Sequence, residues 1–301
     1  MISESRTHVL YKRASVTDTE FHYEEIDPPS VLAGHVRCIW RLRGPASDGA
    51  PPEPIVPDGC VEIVLNLADP FIRHAGNGSS HSQPLRLVTG QLSHAITIAP
   101  SGRMDLWGIR FHPWAAAAFL RLQGTDLRDR MLALSDASRS LDAALDPVVD
   151  ARTDQDRWRA LITALTTHAR TARPVGPTLP ALVSFIAGQR ELLSVRELAS
   201  RAGLGTRRVQ AVFAERVGMS PKMLMRISRF QRALRIARER ADLSWSAVAL
   251  EAGYYDQPHL NHDCREIAGC APSALVKKDP GLTEAFLTAG DRQRAENEVD
   301  G

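Results

Sequence analysis

The chain has 301 residues, of which 44% are hydrophobic and 24% charged, and this composition indicates a folded protein with room for two domains rather than a disordered one. No hydrophobic leader follows Met1 and no apolar run approaches the roughly 18 residues of a membrane-spanning helix, so we expect a cytoplasmic protein. The formal charge of +2 hides a basic segment, residues 190–278, with 16 Lys and Arg against 9 Asp and Glu, which is typical of a module that binds phosphates or of a solvated basic face.

The sequence up to about Pro113 favours strands. Residues 33–42, 60–67 and 104–111 alternate partly or are rich in β-branched residues, and turn-forming residues such as Asp58-Gly59 separate them. Residues 76–80 have the composition of an exposed loop. Several short strands separated by turns predict a small barrel, cupin-like in outline, or a sandwich.

The pattern changes to a helical period after Trp114. Residues 115–122 and 157–169 predict helices that flank the sheet or form a subunit contact. Residues 173–181 contain three prolines and a glycine, which oppose regular structure, and we expect the linker there. The predicted fold class is therefore α+β, with a strand-rich N-terminal domain at 1–172, an all-α domain at 182–278 and a C-terminal tail at 279–301.

The basic segment repeats itself at an offset of 50 and then 51 residues. In each copy a Ser precedes a short run of small and aliphatic residues that ends in Ala-Gly, which predicts a capped helix, a tight turn and a second helix. The equivalent pairs begin with Ser194 and Ser244, include Gly203 and Gly253, and end with Pro221 and Pro272. A long helix over 221–241 connects the copies, with arginines at every third position: Arg226, Arg229, Arg232, Arg235 and Arg238.

The second helix of each unit has one apolar face, which leaves its polar residues outward. Such side chains bond base edges or phosphates, so they are the candidate DNA-binding residues. In the first copy they are Thr206, Arg207, Arg208, Gln210 and Arg216. In the second copy they are Gln257, His259, Asn261, His262 and Arg265. A plain helical bundle explains the apolar spacing but not the duplicated turn.

These residues carry a resemblance to a known family. Ser194-x-x-x-Leu198-Ala199-x-x-Ala202-Gly203, Gly218-Met219-Ser220-Pro221 and Ala252-Gly253-Tyr254-x-Asp256-Gln257 resemble the AraC-type DNA-binding domain. The resemblance implies a transcription regulator whose helices near Gly205 and Gln257 read adjacent major-groove segments. It further implies double-stranded DNA and RNA polymerase as partners, a small-molecule effector or a homodimer contact through the N-terminal domain, and no membrane. Gly205 stands where the family often has a capping Ser, and Cys264 where it often has Phe.

The N-terminal half carries a second resemblance. Ile55-Val56-Pro57-Asp58-Gly59-Cys60 and Gly108-Ile109-Arg110-Phe111-His112-Pro113 are similar to an uncharacterised domain that occurs ahead of AraC-type DNA-binding domains. That resemblance brings no ligand. Candidate effector-binding residues are Trp40, Cys60, Trp107 and Phe111, with His112 and Trp114 beside them, and the alternative is that these residues are ordinary core.

Other functions remain as alternatives. A metal or thiol sensor would use His35, Cys38, Cys60 and His74, and an enzyme that accepts alkyl groups would use Cys38 or Cys60. An architectural protein without an effector is a third alternative. The four cysteines form no Cys-x-x-Cys pair, and the chain contains no nucleophile elbow, phosphate loop or His-Glu-x-x-His sequence, so we expect neither a metal nor a cofactor and no catalysis.

Overall fold

The computed structural model describes residues 12–16, 19–45 and 49–276 of the chain. The predicted tail at 279–301 lies outside the described residues. The strands are β1 (Lys12–Val16), β2 (Thr19–Ile26), β3 (Val36–Gly44), β4 (Glu53–Ile55), β5 (Glu62–Asn66), β6 (Phe71–His74), β7 (Ser80–Ser82), β8 (Arg86–Thr89), β9 (Ile96–Pro100), β10 (Met104–Phe111) and β11 (Met131–Ala133). The helices of the N-terminal domain are α1 (Ala116–Leu120), α2 (Gly124–Leu127), α3 (Leu134–Ala137), α4 (Arg139–Ala144), α5 (Asp146–Asp150) and α6 (Asp154–Ala169).

The N-terminal domain contains two antiparallel sheets. The larger has the strand order β1-β2-β3-β10-β5-β8-β11 and the smaller the order β4-β9-β6-β7. The predicted strand at 33–42 begins later, at Val36, because the backbone N–H groups of His35 and Val36 both bond the carbonyl oxygen of Leu32 in a turn. The predicted loop at 76–80 joins β6 to β7.

The two faces of the larger sheet bury different cores. Trp40 on β3 lies directly opposite Gly108 on β10, and a side chain at Gly108 would occupy the space of the indole ring. Trp40 and Leu106 belong to the core that faces the smaller sheet, together with Phe71. Trp107 belongs to the core that faces helices α1 to α6. Because strand side chains alternate between faces, residues 106 and 107 contribute to opposite cores.

The connection between the domains overlaps the predicted linker at 173–181 but is shifted toward the N-terminus. Helix α6 ends at Ala169 and helix α7 (Thr178–Gly188) begins inside the predicted linker, so that residues 170–177 lie between them without helix or strand. Pro180 lies in the first turn of α7, where a missing backbone N–H costs no helical hydrogen bond. The prolines therefore start this helix instead of preventing it.

The C-terminal domain is entirely helical. After α7 it contains α8 (Val195–Arg201), α9 (Thr206–Arg216), α10 (Pro221–Glu239), α11 (Trp245–Glu251), α12 (Gln257–Ala268) and α13 (Pro272–Leu275). Helices α8 and α9 share one core with α7, and α11 and α12 share another, while α10 contributes side chains to both cores. The predicted α+β class, with two helix-turn-helix units joined by a long helix, is confirmed.

The repeated turn has the predicted geometry. Gly203 and Gly253 follow α8 and α11 with φ of +63° and +88°, values at which an L side chain is strained. At Gly253 a Cβ would also overlap the backbone oxygen of Arg190. Only glycine therefore fits the second of these turns.

The two domains contact each other at several places. Gly124 at the start of α2 packs on Gly218, just after α9, so closely that a Cβ on Gly124 would overlap the backbone nitrogen of Gly218. The amide Nε2 of Gln231 on α10 donates to the carbonyl oxygen of Pro57 at 2.5 Å. The backbone N–H of Ala95 donates to the carbonyl oxygen of Ile267 on α12 at 2.6 Å. The N-terminal domain thus contacts both helix-turn-helix units and the helix that connects them.

Candidate nucleic-acid interface

Side chains cap the helices that begin each unit. The Oγ of Ser194 accepts from the backbone N–H of Glu197, whose carboxylate accepts in return from the N–H of Ser194. Ser244 caps α11 through the N–H of Ala247, and Asp256 caps α12 through the N–H of His259. The N-cap residue of α9 is Gly205, which has no side chain to cap the helix, as the departure from the family pattern predicts. Three of the four helices therefore have a local start signal in the sequence.

The first recognition helix is α9. Val209 and Phe213 are fully buried and anchor it to α8 and α10. The candidate side chains near its start, at positions 206, 207, 208 and 210, are all exposed. Arg216, near its end, is half-buried, and its Nε lies 3.1 Å from the Glu215 carboxylate. The N-terminal half of α9 consequently presents one threonine, two arginines and one glutamine to solvent.

The second recognition helix is α12, which buries Leu260, Cys264 and Ile267. Of its candidate residues, His262 and Arg265 are exposed, whereas Gln257, His259 and Asn261 are half-buried. The side-chain Oε1 of Gln257 accepts a hydrogen bond from Ser246 Oγ at 2.8 Å. The His259 ring packs edge-on against the Tyr254 ring, with 5.1 Å between the ring centroids. This surface is less basic and more constrained than that of α9.

One exposed residue of the second unit was not among the candidates. Tyr255 immediately precedes Asp256, the N-cap residue of α12. It is 77% exposed, more than any other large hydrophobic residue of the described chain. Tyr255 has no counterpart in the first unit. There a single residue separates Gly203 from the N-cap residue Gly205, whereas two residues separate Gly253 from the N-cap residue Asp256. That one-residue insertion was the available signal.

The arginines of α10 connect the two units. Arg226 donates from Nε and NH2 to Asp263 Oδ1 at 3.0 and 2.7 Å and reaches Glu266 at 2.5 Å. The guanidinium of Arg229 lies 5.0 Å from the Tyr254 ring centroid. Buried Arg232 donates to the carbonyl oxygens of Ala252 and Ala187 at 3.3 and 3.1 Å. The spacing of three thus places three arginines against α12, the second turn and α7 rather than along one solvent-facing stripe.

The candidate effector residues of the N-terminal domain do not come together. Trp40 faces the smaller sheet, whereas Trp107 and Phe111 face helices α1 to α6. Cys60 lies beside Arg37, its Sγ 3.8 Å from the guanidinium NH1. The expected pocket of Trp40, Cys60, Trp107 and Phe111 is therefore not a single site, because the sheet itself separates its members.

A buried ionic cluster occupies one end of the space between the sheets. Arg110 Nε lies 2.6 Å from Glu62 Oε1 and 3.5 Å from Asp58 Oδ2. Glu62 also accepts from Trp40 Nε1 at 3.2 Å, and the NH1 of Arg110 lies 3.7 Å from Glu25. Asp58 turns the chain as predicted, since its Oδ1 accepts from the N–H of Cys60 while Gly59 has a φ of +82°. Buried charges are tolerated here because each has an opposite charge beside it.

The two cysteines at this cluster are not activated. Burial raises the pKa of Cys60 to about 12 and also raises the pKa of Cys38. Both are therefore thiols at neutral pH, which disfavours an alkyl-accepting enzyme. His35 packs against Phe119, on the helical side of the sheet, whereas Cys38 faces Glu25. Within the part of the chain that the structure describes, no three His, Cys, Asp or Glu side chains are grouped to hold a metal.

A cavity with walls from both domains lies between them. A cavity of about 840 Å³ is bounded on one side by Arg37, Asp58, His112 and Trp114 of the N-terminal domain and on the other by α7, α10 and the end of α11. The imidazole of His112 stacks on the Trp114 ring at 4.6 Å with the planes 3° apart. His112 and Trp114 thus lie at a cavity, but at one formed only when both domains are present.

No helix of the described residues is both long enough and apolar enough to cross a bilayer.

Comparison with known proteins defines the class. Residues 198–278 match a family model described as a helix-turn-helix domain, and residues 24–133 match the domain of unknown function DUF6597. The chain is a DNA-binding transcription regulator. Its C-terminal domain belongs to the AraC-type helix-turn-helix family, and the domain ahead of it belongs to the DUF6597 family, as both resemblances predicted.

Several solved structures are similar to the chain. ToxT from Vibrio cholerae is 8% identical, with 79% of this chain and 97% of that chain covered and a TM-score of 0.45. A transcriptional regulator with an AraC-type DNA-binding domain from Chromobacterium violaceum is 20% identical, covering 38% and 94% at a TM-score of 0.31. The AraC-like transcriptional activator CuxR is 12% identical, covering 72% and 81% at a TM-score of 0.28. None of the curated proteins matches the chain.

Proposed function

We propose that the chain binds a specific double-stranded DNA sequence through α9 and α12, and that its N-terminal domain adjusts this binding in response to a small molecule. The exposed polar start of α9, fixed on a rigid helical domain, is the observation that carries the proposal. In helix-turn-helix proteins the first residues of the recognition helix contact base edges. Thr206, Arg207 and Gln210 occupy that position.

The two recognition helices have different roles in this proposal. Arginine and glutamine form paired hydrogen bonds with guanine and adenine in the major groove, so α9 supplies most base discrimination. Arg208, Arg216 and Arg265 are proposed phosphate contacts. In this proposal α12 reads fewer bases than α9. Its candidate residues are the half-buried Gln257, His259 and Asn261 and the exposed His262. Two of these side chains already contact the protein, since Gln257 bonds Ser246 and His259 packs on Tyr254.

The N-terminal domain is well placed to act on DNA binding. Its contacts reach the end of α9 through Gly218, α10 through Gln231 and the end of α12 through Ile267. Any change in the N-terminal domain that shifts these contacts alters the relative placement of the recognition helices. We further propose RNA polymerase and a second copy of the chain as its protein partners, which are the partners that the family resemblance implies.

The test is selection of bound sequences from a random double-stranded DNA pool by the full chain, followed by binding measurements on the selected sequence. We expect two half-elements about 10 base pairs apart, because two major-groove segments on one face are separated by one helical turn. Replacement of either half-element should weaken binding, with the larger loss at the element read by α9. Recovery of no common sequence would contradict the proposal.

Salt dependence tests the phosphate contacts separately. Arg265→Ala should weaken binding to all DNA equally and reduce the slope of log K against log salt by about one, since one fewer counterion is released. Arg159→Ala on α6 is the control, because this arginine is also exposed on a helix but belongs to the N-terminal domain. An unchanged slope in Arg265→Ala would remove this residue from the interface.

A further inference from the structure

We propose that Cys264 and Cys270 form an oxidative modification site, at which a low-molecular-weight disulfide converts the two thiols into one intramolecular disulfide bond. Both residues belong to the second helix-turn-helix unit, since Cys264 lies on α12 and Cys270 follows the end of that helix. Both are thiols in the structure. The bond itself does not depend on the proposed function, whereas its effect on DNA binding rests on that function.

The end of α12 brings the two cysteines together. Gly269 follows the helix with a left-handed φ of +74°, and its backbone N–H donates to the carbonyl oxygen of Arg265 at 3.0 Å. A left-handed residue at this place turns the chain back over the helix end, and the residue after it commonly contacts a side chain about one turn earlier. Here those two residues are Cys270 and Cys264.

The surroundings of the two side chains agree with this contact. Cys264 is fully buried in the core of the second unit, and Cys270 packs against the same core. The two sulfurs are close enough to interact electrostatically, since burial, and after it the neighbouring Cys270, raises the pKa of Cys264 to about 12. Two side chains of one core that are separated by a single tight turn meet the first condition for a disulfide, which is a close approach of the two residues.

The first unit has a different pair of residues at the equivalent positions. At the offset of 51 residues, Phe213 matches Cys264 and Met219 matches Cys270. Phe213 and Met219 are almost fully buried and belong to one core. The same place in the fold thus brings two side chains together in both units, but in the second unit both are thiols. Cys270 is half-buried where Met219 is buried, so a dissolved reagent can reach it.

The other two cysteines are not placed for such a bond. Cys38 lies on β3 opposite Arg110 of β10, and Cys60 lies just before β5, which pairs with the other edge of β10. Two strand spacings amount to about 9 to 10 Å, which exceeds the roughly 7 Å that a disulfide allows between Cα atoms. Cys38 and Cys60 therefore serve as internal controls for oxidation of the chain.

The reaction consists of two thiol–disulfide exchange steps. The thiolate of Cys270 attacks one sulfur of the reagent disulfide, which breaks the S–S bond of the reagent, releases one reagent thiol and leaves a mixed disulfide. The sulfur of Cys264 then attacks Cys270, forms the S–S bond of the protein and releases the second reagent thiol. The two cysteines lose two electrons and two protons, and the reagent takes up both.

The bond changes the end of the second recognition helix. It draws the two sulfurs to about 2.05 Å, well inside their contact distance as separate thiols, so the last turn of α12 has to shift. That turn carries Arg265, a proposed phosphate contact, and Ile267, whose carbonyl oxygen accepts from the N–H of Ala95 in the N-terminal domain at 2.6 Å. We therefore expect oxidation to weaken the DNA contacts of the second unit.

Peptide mapping tests the bond. The full chain is equilibrated with glutathione disulfide, quenched with acid, alkylated in urea and digested with trypsin. Because Arg265 lies between the two cysteines, trypsin separates them into peptides 241–265 and 266–277. We expect these two peptides to be joined by a disulfide, in a chain whose intact mass has fallen by two hydrogens. Two alkylated peptides, or glutathione on Cys270 without the cross-link, would overturn the proposal.

Variants separate the roles of the two thiols. Cys264→Ala removes the second thiol, so Cys270 should stop at the mixed disulfide and retain one glutathione. Cys270→Ser changes a half-buried side chain, so it should fold normally and form no cross-link. Cys60→Ala is the matched control and should form the cross-link as the wild type does. A loss of two hydrogens that persists in Cys270→Ser would place the bond elsewhere and overturn the site.

A DNA readout separates this proposal from the proposed function. Oxidation should weaken binding of the wild-type chain to DNA with both half-elements at least threefold, leave binding to the first half-element alone unchanged and have no effect on Cys270→Ser. Equal affinities of the oxidised and reduced chains would overturn the effect on the second unit. The cross-link without any sequence-specific DNA binding would refute the proposed function and leave the modification site standing. Specific DNA binding without the cross-link would refute the modification site and leave the proposed function standing.

Discussion

At the residue scale, exposure separates the candidate side chains of α9 from those of α12. The side chains at the start of α9 are exposed to solvent, whereas Gln257 already accepts a hydrogen bond from Ser246 and His259 packs on Tyr254. A side chain that must first break a protein contact gains less from a base contact. We therefore expect the first unit to be the stronger reader of sequence.

Truncation of the α9 side chains tests this conclusion. Arg207→Ala and Gln210→Ala should each cost about 1 to 3 kcal/mol on the selected sequence and reduce the preference for one base pair, because each loses a paired hydrogen bond to a base edge. Binding titrations on the selected sequence and on single-base variants measure both effects. Arg159→Ala should change neither. Equal losses on every sequence would show that the two residues contact phosphates only.

Three histidines make stability depend on pH. Burial lowers the pKa of His35, His112 and His168 in the folded chain. Just below the ordinary histidine pKa, these side chains are therefore protonated in the unfolded chain but still neutral in the folded chain. The unfolded state then binds more protons, and stability rises with pH through the window that ends near about 6.5. The contribution of these histidines to the urea midpoint of the full chain should therefore fall on acidification from pH 7.5 to 5.5, whereas burial raises the pKa of Glu25 and Glu62 and gives a contribution of opposite sign.

Single substitutions identify the histidine responsible. His112→Gln retains a donor for the carbonyl oxygen of Ala33, to which the imidazole Nε2 lies at 3.0 Å, but cannot titrate. It should therefore make the midpoint less dependent on pH. His81→Gln, at an exposed position on β7, should leave the dependence as it is. A pH dependence in His112→Gln identical to that of the wild-type chain would contradict the assignment.

At the element scale, α10 does more than separate the two units. The side chain of Asp263, on the inner side of α12, is 3% exposed and accepts two hydrogen bonds from Arg226. The same arginine reaches Glu266, whose side chain is 50% exposed. The buried bond fixes the angle of α12 against α10 far more firmly than the exposed one does. Asp263 is thus a positioning residue for the second recognition helix.

Conservative substitutions of the two acids distinguish them. Asp263→Asn should lower the free energy of unfolding by about 1.5 to 3 kcal/mol, the usual worth of a hydrogen bond to a charged group. Glu266→Gln should cost less than about 1 kcal/mol, as expected for an exposed pair.

DNA binding reports whether the effect is local to the second unit. Asp263→Asn should weaken binding to DNA with both half-elements and leave binding to the first half-element alone unchanged. Equal weakening on the two DNAs would mean that the whole domain is destabilised instead.

At the scale of the whole molecule, the contact of Gly124 with Gly218 holds the domains together. No side chain fits between the two backbones, and Gly218 has a φ of +88°. Gly124→Ala should therefore push the domains apart and expose the connection at 170–177. Proteinase K should cleave this variant faster between the domains, and X-ray scattering should give a larger radius of gyration.

Gly34→Ala is the matched control for the interdomain contact. Gly34 lies in a turn of the N-terminal domain, and a Cβ there meets no atom within 4 Å. It should be cleaved at the wild-type rate. If Gly124→Ala is as resistant as wild type, the contact yields without separating the domains, and the regulatory route through Gly218 would be wrong.

The sequence predicted the units that depend on neighbours close along the chain. A capping Ser, an Ala-Gly turn and apolar residues four apart all act within one or two helical turns, so the duplicated pattern was sufficient to predict α8, α9, α11 and α12 with their exposed faces. The strands β3, β5 and β10 were predicted for the same local reason, to within a few residues at each end.

Only the tertiary structure decided which side chains meet. Trp40 and Trp107 lie on opposite faces of one sheet, the arginines of α10 find partners 20 to 45 positions away, and the walls of the cavity come from segments near residues 37, 112, 187 and 235. No periodicity relates such distant positions, since their proximity depends on how the two domains pack. The two helices that we propose to read DNA were therefore predictable from the residues alone, whereas the cavity between the domains exists only because the two domains fold against each other.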